Sequence, residues 1–171
     1  MLGMISFCIS VVFLFLFYAQ TKTINRLFKL VLSRTSGYEI GTLLPMDRVI
    51  LEAKSSSISV PLENIRIVIF GSAGCKKCLN LLKEIARSNH LQDQILIVYL
   101  STDENGGKYA LEGEAEKLQF VIIDKSLKNN LKLDAYPFFY FINDEKYIEN
   151  KGLVESYKDL LTMYERSKNY F

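Results

Sequence analysis

From Ile65 to Phe70 the chain reads Ile-Arg-Ile-Val-Ile-Phe, β-branched and apolar at almost every position. A strand that alternates in polarity can leave one face in water, whereas a nearly continuous apolar strand must be covered on both faces. This run therefore demands a sheet with material packed above and below it. Gly71-Ser72-Ala73-Gly74 then breaks the strand, and beyond the break Leu79, Leu82, Ile85 and Ala86 recur at helical spacing. That spacing places Cys75 at the N-terminus of a helix and Cys78 one turn inside it.

The alternation continues downstream. Gln94 to Leu100 reads as a strand, Lys108 to Leu118 as a helix, Phe120 to Ile123 as a strand and Lys125 to Leu131 as a short helix. Phe138 to Ile142 and Lys146 to Glu149 pattern as a hairpin turning at Asn143-Asp144-Glu145, and Val154 to Arg166 as a closing amphipathic helix. Upstream, Gly41 and Pro45 punctuate a lead-in loop, and Lys54 to Ser59 is a serine-rich turn or loop. Alternating β and α elements with an antiparallel end predict an α/β fold, a mixed central sheet flanked by helices.

The opening residues belong to a different kind of segment. No charged side chain occurs from Met1 to Thr21, and Leu2 to Ala19 is almost wholly apolar. At a rise of about 1.5 Å per residue, some 20 helical residues match the roughly 30 Å hydrocarbon core of a bilayer. Residues 1–21 are therefore expected to form a single transmembrane helix. A cleaved signal peptide is the competing reading, disfavoured by the missing basic n-region and by Tyr18-Ala19-Gln20, a poor cleavage site. Lys22, Arg26, Lys29 and Arg34 follow with no acid before Glu39, and Ile24, Leu27, Phe28 and Val31 recur between them. Residues 22–37 thus read as a basic amphipathic juxtamembrane segment in contact with lipid headgroups, leaving 38–171 as the globular domain. Overall, 21 basic and 19 acidic residues give a charge of +2, without the clustered excess that a nucleic-acid partner requires.

The chemistry lies in Cys75-Lys76-Lys77-Cys78. Two thiols at a helix start can close a short disulfide ring. The helix N-terminus offers N–H groups and a positive partial charge to Cys75, and Lys76 and Lys77 add charge in the same place, so thiolate is favoured over thiol. A closed zinc site needs four ligands, and the chain adds only the distant His90 and Cys8 in the apolar segment. A copper(I) carrier using the two sulfurs is the stronger metal alternative, although no Met or His stands beside them in the sequence. No cofactor and no resident metal are expected.

The order of elements is completed by Ala135-Tyr136-Pro137 leading into Phe138-Phe139-Tyr140-Phe141-Ile142. A strand, Cys-x-x-Cys on a helix, further β and α units, then x-Pro before an apolar hairpin and a last helix resembles the thioredoxin superfamily. More narrowly the chain resembles the membrane-anchored TlpA-like and MauD-like thiol-disulfide oxidoreductases. Gly41-Thr42-Leu43-Leu44-Pro45 is similar to their lead-in motif, and the unit from Lys108 to Leu131 to their insertion.

The resemblance implies a thioredoxin-like fold acting as an enzyme on cysteine-containing protein substrates, with a redox partner protein. Cys75 would be the nucleophile, Cys78 the resolving thiol, and Tyr136-Pro137 a substrate-facing loop with a cis peptide bond. It also implies a domain outside the cytoplasm, against the positive-inside rule applied to the four cations after the span. Gly74 stands where thioredoxin has Trp, Lys76-Lys77 where it has Gly-Pro, and Ile69 where many relatives keep a buried acid. These departures point to oxidation, isomerisation or a dedicated maturation role. A non-catalytic thioredoxin-fold module that docks a partner is the alternative from another class.

Overall fold

The apolar run forms strand β2 (Ile67–Ser72), with every residue buried. In the computed structural model it lies inside a six-stranded sheet ordered β1-β4-β3-β2-β5-β6. The other strands are β1 (Ala53–Ser57), β3 (Ile95–Ser101), β4 (Gln119–Asp124), β5 (Phe138–Ile142) and β6 (Ile148–Leu153). Among the described residues, four α-helices accompany them: α1 (Leu2–Thr35), α2 (Met46–Leu51), α3 (Lys76–Arg87) and α4 (Tyr157–Lys168). The structure describes residues 2–51, 53–57, 61–88, 90–101, 118–124 and 130–168. The expected helices over Lys108 to Leu118 and Lys125 to Leu131, and with them most of the expected insertion, lie outside the described residues.

Strands β2, β3 and β4 are mutually parallel, while β5 and β6 add an antiparallel hairpin and β1 pairs antiparallel with β4. Both sheet faces are covered, as the sequence of β2 requires. Ile67 and Ile69 pack with Leu81, Leu82 and Ile85 of α3 and Leu160 of α4. Val68 and Phe70 point the other way, toward Leu44, Met46, Val49 and Leu133. Each fully buried Leu, Ile or Phe contributes about 1.5–3 kcal/mol, so two such layers supply the main driving force for the fold. The parallel centre, the antiparallel hairpin at one side and helices on the faces constitute the thioredoxin-like arrangement expected from the sequence.

Three expectations are corrected. Lys54 to Ser59 was expected as a loop, yet Ala53–Ser57 is an edge strand against β4. Backbone pairing with a buried neighbour accounts for this, because an edge strand needs little apolar content of its own. The second hairpin strand begins at Ile148 rather than Lys146, since Lys146 takes a positive φ of 68° within the turn. The last helix starts at Tyr157 rather than Val154, where the Ser156 hydroxyl accepts from the Asp159 N–H.

The chain divides into one unit ending at Thr35 and a second running from Ser36 to Phe171. In the first unit, α1 is helical through Thr35, so the basic stretch continues the apolar one in a single helix. In α1, Phe13, Leu14, Phe15 and Phe17 are exposed. Among the described residues, no helix is long and apolar enough to cross a membrane. The second unit begins at buried Ser36, two residues before the expected boundary.

Candidate redox site

β2 ends in a tight turn. Ala73 donates its N–H to the Leu100 carbonyl at 2.9 Å and Cys75 to the Ser72 carbonyl at 3.1 Å. Gly74 sits between them at φ +82°, a conformation that glycine adopts without strain. Cys75 is the N-cap of α3, and its Sγ accepts the N–H of Cys78 at 3.2 Å. The capping position gives the sulfur what the sequence promised, a backbone donor at the positive end of a 12-residue helix with no acid in its first turn.

Cys75 and Cys78 form a disulfide with Cα atoms 5.3 Å apart, inside the usual span for such bonds. The two sulfurs differ in environment. Cys78 is only 1% exposed, among Ile69, Leu82 and Tyr99, whereas Cys75 is half-buried at the rim of the same cluster. Ile69 fills the β2 position where an acid was lacking in the sequence, so the core beneath Cys78 is apolar there.

Lys76 and Lys77 are exposed on the first turn of α3. Lys77 Nζ lies 3.1 Å from Glu155 Oε1, with side chains 66% and 50% exposed. The pair contributes about 0–1 kcal/mol to stability. Its larger meaning is electrostatic, because Glu155 offsets part of the positive charge assigned to the helix start.

The Tyr136–Pro137 peptide bond is cis, as expected. Since β5 runs antiparallel to β2, its first residue Phe138 pairs with Phe70 near the end of β2 that leads to Cys75. One step further along this register lie Pro137 and Gly71. A side chain at Gly71 would come within 3.0 Å of the Tyr99 ring and 3.5 Å of Cys78 Cβ. The proline loop, Cys78 and Tyr99 thus gather at one end of the sheet. Pro137 is buried, its carbonyl accepts the Val154 N–H at 3.2 Å, and Tyr136 packs against both core layers. Burial, and secondarily the Asp134 carboxylate, push the Tyr136 phenol up to about 12. Burial also raises Tyr99.

Cys75, Cys78 and the Tyr136-Pro137 loop therefore lie toward this end of the sheet, whereas His90 follows the opposite end of α3 and Cys8 belongs to the first unit. Tyr99 and Glu155 were not singled out, and Gly71 was expected to open the break after the strand, whereas β2 continues through it to Ser72. A glycine inside an otherwise bulky strand is a signal of close approach that could have been read. Tyr99 looks like any core aromatic, and nothing local marks Glu155. Among the described residues, no group of three or more His, Cys, Asp and Glu side chains gathers as a metal site. His90 is exposed, and its carbonyl accepts the Tyr157 hydroxyl.

No family model and no curated protein matches the chain. Solved structures do. The chain is similar to a thiol:disulfide interchange protein from Bacteroides sp., at 20% identity and a TM-score of 0.46, covering 67% of this chain and 87% of that one. It is similar to the thioredoxin domain of a thiol-disulfide oxidoreductase from Bacteroides vulgatus, at 18% identity and a TM-score of 0.49 over 75% and 97% of the two chains. A thiol-disulfide isomerase from Corynebacterium glutamicum shows 15% identity and a TM-score of 0.47 over 73% and 95%. Strand order and pairing, rather than these distant likenesses, define the thioredoxin-like fold here.

Proposed function

We propose that this chain is a membrane-tethered protein thiol-disulfide oxidoreductase whose exchanging pair is Cys75 and Cys78. The observation that carries the reading is a helix-capping, half-buried Cys75 sulfur bonded to a fully buried Cys78. A substrate thiolate attacks Cys75 Sγ, the Cys75–Cys78 bond breaks, and Cys78 leaves with the electron pair and takes a proton. A second substrate thiolate then attacks the substrate sulfur of the mixed disulfide and releases Cys75 as thiolate. Two electrons have moved from substrate to the pair, two protons have been released by the substrate thiols, and a redox partner protein reoxidises the site. The reverse sequence, with Cys78 resolving, reduces a substrate. Stabilising the Cys75 thiolate favours the dithiol product and hence net oxidation or isomerisation. Tyr136-Pro137 receives the substrate backbone.

Tethering is supported by the uncharged sequence from Met1 to Thr21, the exposed apolar side chains of α1 and the cations that follow. The domain then works on the extracytoplasmic side, where protein disulfides persist. The full chain, oxidised and mixed with a short dithiol peptide, is expected to oxidise it. Cys75→Ser is expected to abolish exchange, and Cys78→Ser, offered the same peptide in its disulfide form, to accumulate the mixed disulfide because no second thiol resolves it. Unchanged partner binding and phenotype with Cys75→Ser would replace this reading by a non-catalytic docking module. Labelling of Cys75 by a membrane-impermeant thiol reagent on intact, reduced cells tests the side of the membrane.

A further inference from the structure

The three residues that follow α1 make an unusual concentration of contacts, all within the second unit. Ser36 is fully buried, its hydroxyl donates to Asp134 Oδ2 at 3.1 Å, and its carbonyl accepts from Lys151 Nζ at 2.8 Å. Gly37 donates its N–H to the Lys132 carbonyl at 2.7 Å. Tyr38 donates its N–H to the Tyr140 hydroxyl at 2.8 Å and its own hydroxyl to the Asn130 carbonyl at 3.2 Å.

Space and charge agree with these bonds. Gly37 holds φ +74°, and a Cβ on it would collide with the Tyr140 hydroxyl and sit 3.3 Å from the Phe138 ring. Only glycine admits the chain there. Burial lowers the Lys151 ammonium below its ordinary value, as expected for a cation drawn in to serve a backbone carbonyl. Three of the bonds land on Asn130, Lys132 and Asp134, the segment that runs directly into Tyr136-Pro137. Without those partners the segment carries exposed or half-buried polar residues with few anchors of its own, Leu131 and Leu133 excepted.

We infer that Ser36–Tyr38 is a positioning strut for the Tyr136-Pro137 loop, fixing the backbone against which an extended protein substrate is received. This rests on the oxidoreductase reading and adds a specificity element to it. The strut touches no reacting atom, so it governs exchange with polypeptides and leaves exchange with small thiols alone. Asp134 and Ser36 are its joint.

The test compares two substrates of the full chain, a short synthetic dithiol peptide and glutathione. Ser36→Ala and Asp134→Ala are expected to raise KM for the peptide about 2- to 10-fold, the range for one lost hydrogen bond, with kcat little changed. Exchange with glutathione stays at the wild-type rate. Asp134→Asn keeps an acceptor for the Ser36 hydroxyl and is expected to restore the peptide KM. If Asp134→Ala does not fold, Ser36→Ala and the Asn variant decide alone. Parallel loss with peptide and glutathione would reduce the strut to a general stability element, and an unchanged peptide KM would remove it. Failure of the wild-type chain to exchange with either thiol overturns the oxidoreductase reading instead.

Discussion

The positive charge beside Cys75 is partly offset by a residue 80 positions away in sequence, and the sign of its effect follows from the pairing. Glu155 holds Lys77 at 3.1 Å, so its removal leaves the Lys77 ammonium free to favour the Cys75 thiolate. Glu155→Gln is expected to lower the apparent pKa of reduced Cys75 by about a few tenths, a size consistent with an exposed ion pair. Lys77→Gln should raise it, and the double variant should lie close to Lys77→Gln alone. Alkylation rate against pH reads all three; a Glu155→Gln shift that persists undiminished in the Lys77→Gln background would show that Glu155 acts on Cys75 by some other route. Tyr136 gives a second pH dependence. Its phenol is pushed from the ordinary value of 10 up to about 12, so the folded state favours its neutral form. The associated stability is complete below pH about 10 and is lost as pH rises toward 12. Denaturant midpoints should therefore fall over that window, and Tyr136→Phe should flatten the fall. An identical slope in the variant would refute the assignment.

At the scale of elements, legibility followed apolar content. β2, α3 and β5 were readable because their burial is written into the side chains: unbroken in the strands, at helical spacing in the helix. β1 was not, because its pairing with β4 is made by backbone groups and its sequence, Ala-Lys-Ser-Ser-Ser, carries no periodic signal. The site divides in the same way. Cys75, Cys78 and Pro137 announce themselves by residue type, whereas Gly71 and Glu155 matter only through neighbours that folding brings to them. The start of α4 was misplaced for a related reason, since its anchor comes from another helix. Glu84 of α3 accepts the Tyr157 N–H at 2.7 Å through Oε2, capping α4 from outside alongside Ser156 and Asp159. Glu84→Ala is expected to cost about 0.5–2 kcal/mol, the range for a lost helix cap, visible as a lower denaturant midpoint. Glu84→Gln should recover part of it. A neutral Glu84→Ala would mean that Ser156 alone caps the helix.

For the molecule as a whole, the boundary between its two units decides what can be cut away. The hydrogen bonds of Ser36, Gly37 and Tyr38 described above are made to residues of the second unit, so a chain without Met1 to Arg34 keeps its core, its strut and the Cys75–Cys78 pair. We expect that shortened chain to be soluble, cooperatively folded and competent in exchange, while the full chain partitions with membranes. Full-length protein recovered from the soluble fraction with a shortened N-terminus would replace the anchor by a cleaved signal. Cutting four residues further, to begin at Glu39, removes the strut, takes a donor from the buried Tyr140 hydroxyl and leaves the half-buried Lys151 ammonium without the Ser36 carbonyl, partners that burial makes costly to lose. Each such loss costs about 1–3 kcal/mol, so the second truncation should melt well below the first. It should also show a higher KM for the dithiol peptide, as the loop before Pro137 loosens. Melting temperatures that coincide for the two truncations would show that the globular unit closes without Ser36 to Tyr38, and that these residues are linker rather than domain.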